Sequence, residues 1–85
     1  MVNIWLKAYT DNKMVLQKTL KMFQPYSRTL LEEMIKIMLE QLDLPAPVFL
    51  DSHFANFEKF RCAKFLQRDF VESVPFDSVD IVDIS

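Results

Sequence analysis

Apolar and polar residues alternate at the start of the chain. Val2, Ile4, Leu6 and Ala8 fall on one side, and Asn3, Trp5, Lys7 and Tyr9 on the other. A period of two marks a strand with one buried face. Residues 14–23 alternate as well. Met14, Leu16, Leu20 and Met22 oppose Val15, Gln17, Thr19 and Lys21, and Lys18 interrupts the apolar set. Asp11-Asn12-Lys13 reads as the turn of a hairpin. A two-residue turn at Asp11-Asn12 sets Val2, Ile4 and Leu6 beside Gln17, Thr19 and Lys21. A three-residue turn sets them beside Met14, Leu16, Leu20 and Met22 instead, because one step of register exchanges the faces. The second arrangement makes one apolar face and is the one expected, with Asn12 as the first candidate for its left-handed residue and Lys13 the second.

Helical spacing follows Pro25. Thr29-Leu30-Leu31-Glu32 fits a capping box, with Thr29 as N-cap, and predicts a helix over Leu30 to Leu42. Its stripe of Leu30, Leu31, Met34, Ile35, Ile37, Met38, Leu39 and Leu42 is wider than one packed face needs. A second cover is therefore expected, from the Phe-rich segment or from another copy of the chain. Pro45 and Pro47 favour an extended connection. A short helix over His53 to Phe60, capped by Asp51 or Ser52, carries Phe54, Phe57 and Phe60. Neither period fits Arg61 to Phe70, which reads as irregular or weakly extended. Val79 to Ile84 is rich in β-branched residues and predicts a last strand. It is expected beside the first strand, since the lysine-bearing second strand makes the better exposed edge.

The fold class is thus α+β. A small antiparallel sheet, in the order β-β-α-short α-β, carries helix on one face, and residues 1–85 form one domain. The expected core is Ile4, Leu6, Leu16, Leu20, Leu31, Met34, Ile35, Met38, Leu42, Phe57 and Ile81.

Hydrophobic residues make up 51% of the 85, which excludes the disordered class. No apolar run approaches the ~20 residues that span a bilayer, so no membrane role is expected. The opening residues lack a basic segment followed by an apolar one, so no signal peptide is expected. A single cysteine forms no internal disulfide and fits a reducing, cytoplasmic setting. Glycine is absent, which excludes the glycine-dependent phosphate loops. It also leaves Asn, Asp or a strained residue for every positive φ. Net charge is −2, with the excess acid in the second half. That balance, with a pI near 5.2, disfavours a nucleic-acid partner. It also suggests that the acidic end folds back on the basic start.

Candidate chemistry is sparse. His53 and Cys62 are the only residues of their types. A zinc site needs three or four ligands and would require carboxylate help, for example from Asp51. A Cys–His nucleophilic pair needs a chain reversal between the two. Asp77, Asp80 and Asp83 are three apart, which puts successive members on opposite faces of a strand. They read as a solvated edge. Met14, Met22, Met34 and Met38 read as core filling. No catalytic residue, metal or cofactor is expected. Trp5, Lys7, Tyr9, Lys21 and Phe23 share the second face of the hairpin and are the candidate partner-binding residues. Aromatic anchors of this kind suit a protein partner or a homodimer. Aromatics interleaved with lysine also suit single-stranded nucleic acid, the alternative reading.

One resemblance bears on this. Leu42-Asp43-Leu44-Pro45-Ala46-Pro47-Val48-Phe49-Leu50, with Phe57, Phe60, the stretch Asp69 to Asp77, Ile81 and Ile84, resembles a group of small uncharacterised bacterial proteins that also open with a strand pair. The resemblance implies a cytosolic bacterial domain of unknown function. Its motifs are structural in kind and carry over no functional residue. The expected role is a non-enzymatic interaction module, self-associating or partner-binding.

Overall fold

The computed structural model describes Met1–Ser85. Two strands, β1 (Val2–Thr10) and β2 (Lys13–Met22), are followed by helices α1 (Arg28–Gln41) and α2 (Asp51–Phe60). Strand β3 (Cys62–Leu66), a single 3₁₀ turn (Gln67–Asp69) and strand β4 (Ser78–Asp83) complete the chain. All four strands pair antiparallel in the order β2-β1-β4-β3. The last strand lies beside the first, as expected, and lysine-bearing β2 forms an edge. Acidic β4 does fold back on β1, with Asp80 opposite Lys7.

The hairpin reaches the expected facing by a different route. The turn has two residues, since Thr10 pairs with Lys13, and both Asp11 (φ 52°) and Asn12 (φ 64°) are left-handed. Two positive φ values give a type I′ turn, whose twist matches the strands. The register then shifts. Tyr9 faces Met14 but Ala8 faces Leu16, which leaves Val15 as an extra residue. This bulge restores Ile4 opposite Leu20 and Val2 opposite Met22. It also moves Met14 to the second face, beside Tyr9 and away from the expected core side.

Both helix starts differ from the sequence reading. Ser27, not Thr29, caps α1, its Oγ accepting from the Leu30 N–H at 3.0 Å. Asp51 and Ser52 do not cap α2; His53 Nδ1 reaches back to accept the Leu50 N–H at 3.0 Å. The end of α1 is a Schellman motif. Leu44 N–H bonds Leu39 O, Asp43 N–H bonds Glu40 O, and Asp43 takes φ 57° where glycine is usual. Arg61 (φ 61°) reverses the chain from α2 into β3. A left-handed conformation there costs about 1–2 kcal/mol.

Both helices pack on one side of the sheet, α1 over the β2 side and α2 over β3 and β4. Ile4, Leu6 and Ala8 of β1 are fully enclosed there. Burying a side chain such as Ile4 or Leu6 stabilises the fold by about 1.5–3 kcal/mol. The wide stripe of α1 is absorbed by this one chain. Leu30, Leu31, Met34, Ile35, Met38 and Leu39 are buried, Leu44 and Phe49 of the connection pack against the same core, and only Ile37 stands out. Leu16, Leu20 and Leu42 are half-buried at the rim of the core. The segment read as irregular supplies much of the rest. Ala63 and Phe65 of β3, then Phe70, Val74 and Phe76, close the end nearest the turn. There Asp77 N–H bonds Tyr9 O and Thr10 Oγ1 bonds Pro75 O.

Candidate functional site

The other side of the sheet has no cover. Trp5, Lys7 and Tyr9 lie on the central strand β1, yet each remains partly exposed, and none belongs to the core cluster. The pairing arranges the open face in rows. Thr19, Trp5, Val82 and Cys62 form one; Gln17, Lys7, Asp80 and Lys64 the next; Met14, Tyr9, Ser78 and Leu66 the third. Lys21, opposite Asn3, marks the corner. Phe23 follows the end of β2 and is 82% exposed, with the Lys21 ammonium 5.7 Å from its ring. Phe23 therefore extends the corner of the face and is not part of a strand.

The details give this face its chemistry. The Lys7 ammonium lies 4.6 Å from the Trp5 ring and 5.9 Å from that of Tyr9. Trp5 Nε1 donates to Gln17 Oε1 at 3.1 Å, which fixes the indole plane. Asp80 sits between two lysines, Lys7 opposite on β1 and Lys64 opposite on β3. Lys64 Nζ is 4.0 Å from Asp80 Oδ1, beyond hydrogen-bond reach, and that buried oxygen has no hydrogen-bond partner. A buried carboxylate oxygen without a donor is costly and rare. Beside it a groove of about 610 Å³ is lined by Lys7, Phe60, Cys62, Lys64, Asp80 and Val82. The face carries three lysines and one aspartate, net +2, in a chain of net −2, so the remainder carries net −4.

Sequence reasoning found the β1 half of this face and missed Asp80, Val82, Lys64, Cys62 and Leu66. The missed half depends on β3, whose five residues show no clean alternation. Asp77, Asp80 and Asp83 do not make a solvated edge, because β4 is an interior strand. Asp77 Oδ2 instead accepts the Asp11 N–H at 2.9 Å, beside the hairpin turn. Asp83 is held below the usual carboxylate range. Burial opposes its ionisation, but hydrogen bonds from the Ser85 N–H and from Arg61 outweigh that.

His53 and Cys62 are not brought together. Cys62 is exposed on the open face, whereas the His53 ring packs tilted against Phe65, with centroids 4.1 Å apart, on the core side. Both His53 nitrogens are engaged, Nδ1 by Leu50 and Nε2 towards Asp69 Oδ2 at 3.5 Å. Asp51 pairs with Arg28 at 3.5 Å, away from both.

A second polar cluster joins the β2–α1 connection to α2. Arg28 makes two hydrogen bonds to Glu58, at 2.9 and 3.0 Å, and the Tyr26 hydroxyl donates to the same carboxylate at 2.8 Å. The Tyr26 ring stacks on Phe57. Burial, followed by the Glu58 contact, pushes the Tyr26 hydroxyl well above its ordinary range. The Arg28 and Tyr26 hydrogen bonds hold Glu58 below the carboxylate range. With every member paired, this cluster ties segments together and leaves no free reactive group.

Fold and face together define a small α+β protein with a one-sided four-stranded sheet. Comparison with protein-family models, curated proteins and solved structures returns no match. No helix is long and apolar enough to cross a membrane.

Proposed function

We propose that this protein is a non-enzymatic interaction module whose working surface is the open face of the sheet, and that its partner is anionic. The observation that carries this is the uncovered central strand. Trp5 and Tyr9 flank Lys7 there, on a face of net positive charge in an acidic chain. An interior strand normally covers such aromatic area, and an uncovered aromatic anchor beside lysine suits recognition. The sheet separates His53 from Cys62, so the two do not form a nucleophilic pair. The exposed free thiol of Cys62 supports a reducing, cytoplasmic setting.

A second copy is the weaker occupant. Face-to-face pairing would set Lys7, Lys21 and Lys64 of both copies together with one Asp80 from each to answer them. The stripe of α1, which motivated self-association, is occupied within the chain.

Trp5 is the only tryptophan, so its emission reports this face alone. Titration with a heparin hexasaccharide, a polyanion without aromatic groups, tests the reading at about 20 mM salt. The expected result is a saturable change in emission that fades with salt and is lost in the Lys7→Ala, Lys64→Ala double variant. An unchanged emission, or a sedimentation-defined dimer that buries Trp5, contradicts it.

A further inference from the structure

Resting on that reading, we infer that the anionic partner is a single-stranded nucleic acid, and that Asp80 selects bases carrying an exocyclic amine. Three placements lead there. Trp5 and Tyr9 bracket Lys7 on one strand, with its ammonium 4.6 Å from one ring and 5.9 Å from the other. That arrangement seats two bases side by side, one on each ring. Asp80 is diagonal to both. Trp5 faces Val82 and Tyr9 faces Ser78, so Asp80, between those two on the same face, is within roughly 7–8 Å of either position. A base stacked on either ring turns an edge towards it. Finally, the Asp80 side chain is 25% open, and no hydrogen bond reaches its Oδ1, which Lys64 Nζ faces at 4.0 Å.

The charges fit the same occupant. Lys7 lies between the two rings, Lys64 borders the groove beside Asp80, and Lys21 marks the corner, so a phosphate backbone crossing the face meets a lysine at each end and in the middle. Aromatic platforms interleaved with lysine are how sheet faces hold single strands. The acidic pI that disfavours this partner describes the whole chain. The negative charge lies off this face, which by itself is net positive.

Asp80 adds selectivity. A carboxylate accepts well from the amino group of cytosine. It accepts poorly from uracil, whose one ring N–H lies between two carbonyl oxygens. An acidic peptide would satisfy the lysines but leave the rings unstacked and Asp80 repelled, and a sulfated sugar likewise.

The intact protein is titrated with oligo(C) and oligo(U) of about eight nucleotides, read by Trp5 emission. Oligo(C) is expected to quench and saturate, and to bind about tenfold more tightly than oligo(U). In Asp80→Ala the ratio falls to about one while oligo(U) still binds. Lys64→Ala weakens both and lowers the salt slope by about 0.7. Circular dichroism of each variant confirms its fold. Quenching by heparin but by neither oligonucleotide overturns the nucleic-acid inference and leaves the anion-binding face intact. A cytosine preference that survives Asp80→Ala overturns the role of Asp80.

Discussion

His53 Nε2 stands 3.5 Å from Asp69 Oδ2, with both side chains largely buried. Each of the two also closes a turn: His53 Nδ1 accepts the Leu50 N–H, and Asp69 Oδ2 accepts the Leu66 N–H at 2.8 Å. The Asp69 carbonyl takes the Val48 N–H at 2.7 Å. One node therefore fixes the connection before α2, the start of α2 and the segment after β3. Its histidine is turned into the fold, with Nδ1 taken by the Leu50 N–H and Nε2 facing Asp69. His53→Ala removes a helix-start acceptor and leaves Asp69 half-satisfied in the interior. It should lower unfolding stability by about 2 kcal/mol. The urea midpoint measures this, and a loss below about 0.5 kcal/mol would count against the node.

Glu58 gives a pH signature. Its native value is lowered, first by Arg28 and then by Tyr26. A lowered carboxylate contributes stability that is fully present above its unfolded value of about 4.3. That contribution is lost as pH falls through the lower native value. The melting temperature of the wild type should therefore drop more steeply than that of Glu58→Gln between about pH 5 and pH 3. Parallel curves for the two proteins would show that the Arg28–Glu58–Tyr26 cluster does not respond to acid.

The bulge can be tested by deletion. Val15 is half-exposed and has no partner across the hairpin. Removing it lets Leu16 follow Met14 in a regular ladder with every facing kept. The deletion should leave thermal unfolding cooperative and shift the midpoint by only a few degrees, about 1 kcal/mol or less. Deleting Thr19 instead reverses the facing of one part of β2 and should abolish the cooperative transition. An unfolded Val15 deletion would contradict the register.

The cap of α1 makes a simpler contrast. Ser27→Ala should cost about 1 kcal/mol. Thr29→Ala, on an exposed first-turn residue, should stay within about 0.5 kcal/mol. Chemical denaturation of the two variants separates them, and equal losses would point to Thr29 as the cap.

The hairpin faces and the buried stripe of α1 were legible because each follows from local alternation or helical spacing, and the strand order beside β1 because the lysines of β2 mark it as an edge. The bulge was not. A two-residue turn plus one extra residue puts Leu16 and Leu20 on the same side as a three-residue turn does, and the pattern alone does not separate the two. Only Met14, which changes faces, tells them apart. Strand β3 was hidden because its open-face residues, Cys62 and Leu66, are as apolar as its buried Ala63. The sheet partner β4 then came out as an edge, and Asp80 was set in solvent when it lies between Lys7 and Lys64. The β1 half of the candidate face was therefore visible in the sequence, and the half that holds Asp80 was not. For the caps, Ser27 and Thr29 are chemically interchangeable at an N-cap, so only the backbone decides between them.

The central claim is that the open face of the sheet is the working surface. Nitrogen–proton correlation spectra of the intact protein, titrated with the heparin hexasaccharide at low salt, test it most directly. The Trp5 indole signal and the amides of Asn3–Tyr9, Cys62–Leu66 and Ser78–Val82 are expected to shift together, while those of α1 and of the start of α2 hold still. Shifts gathered on α1 and the start of α2, or none at all, would contradict the claim.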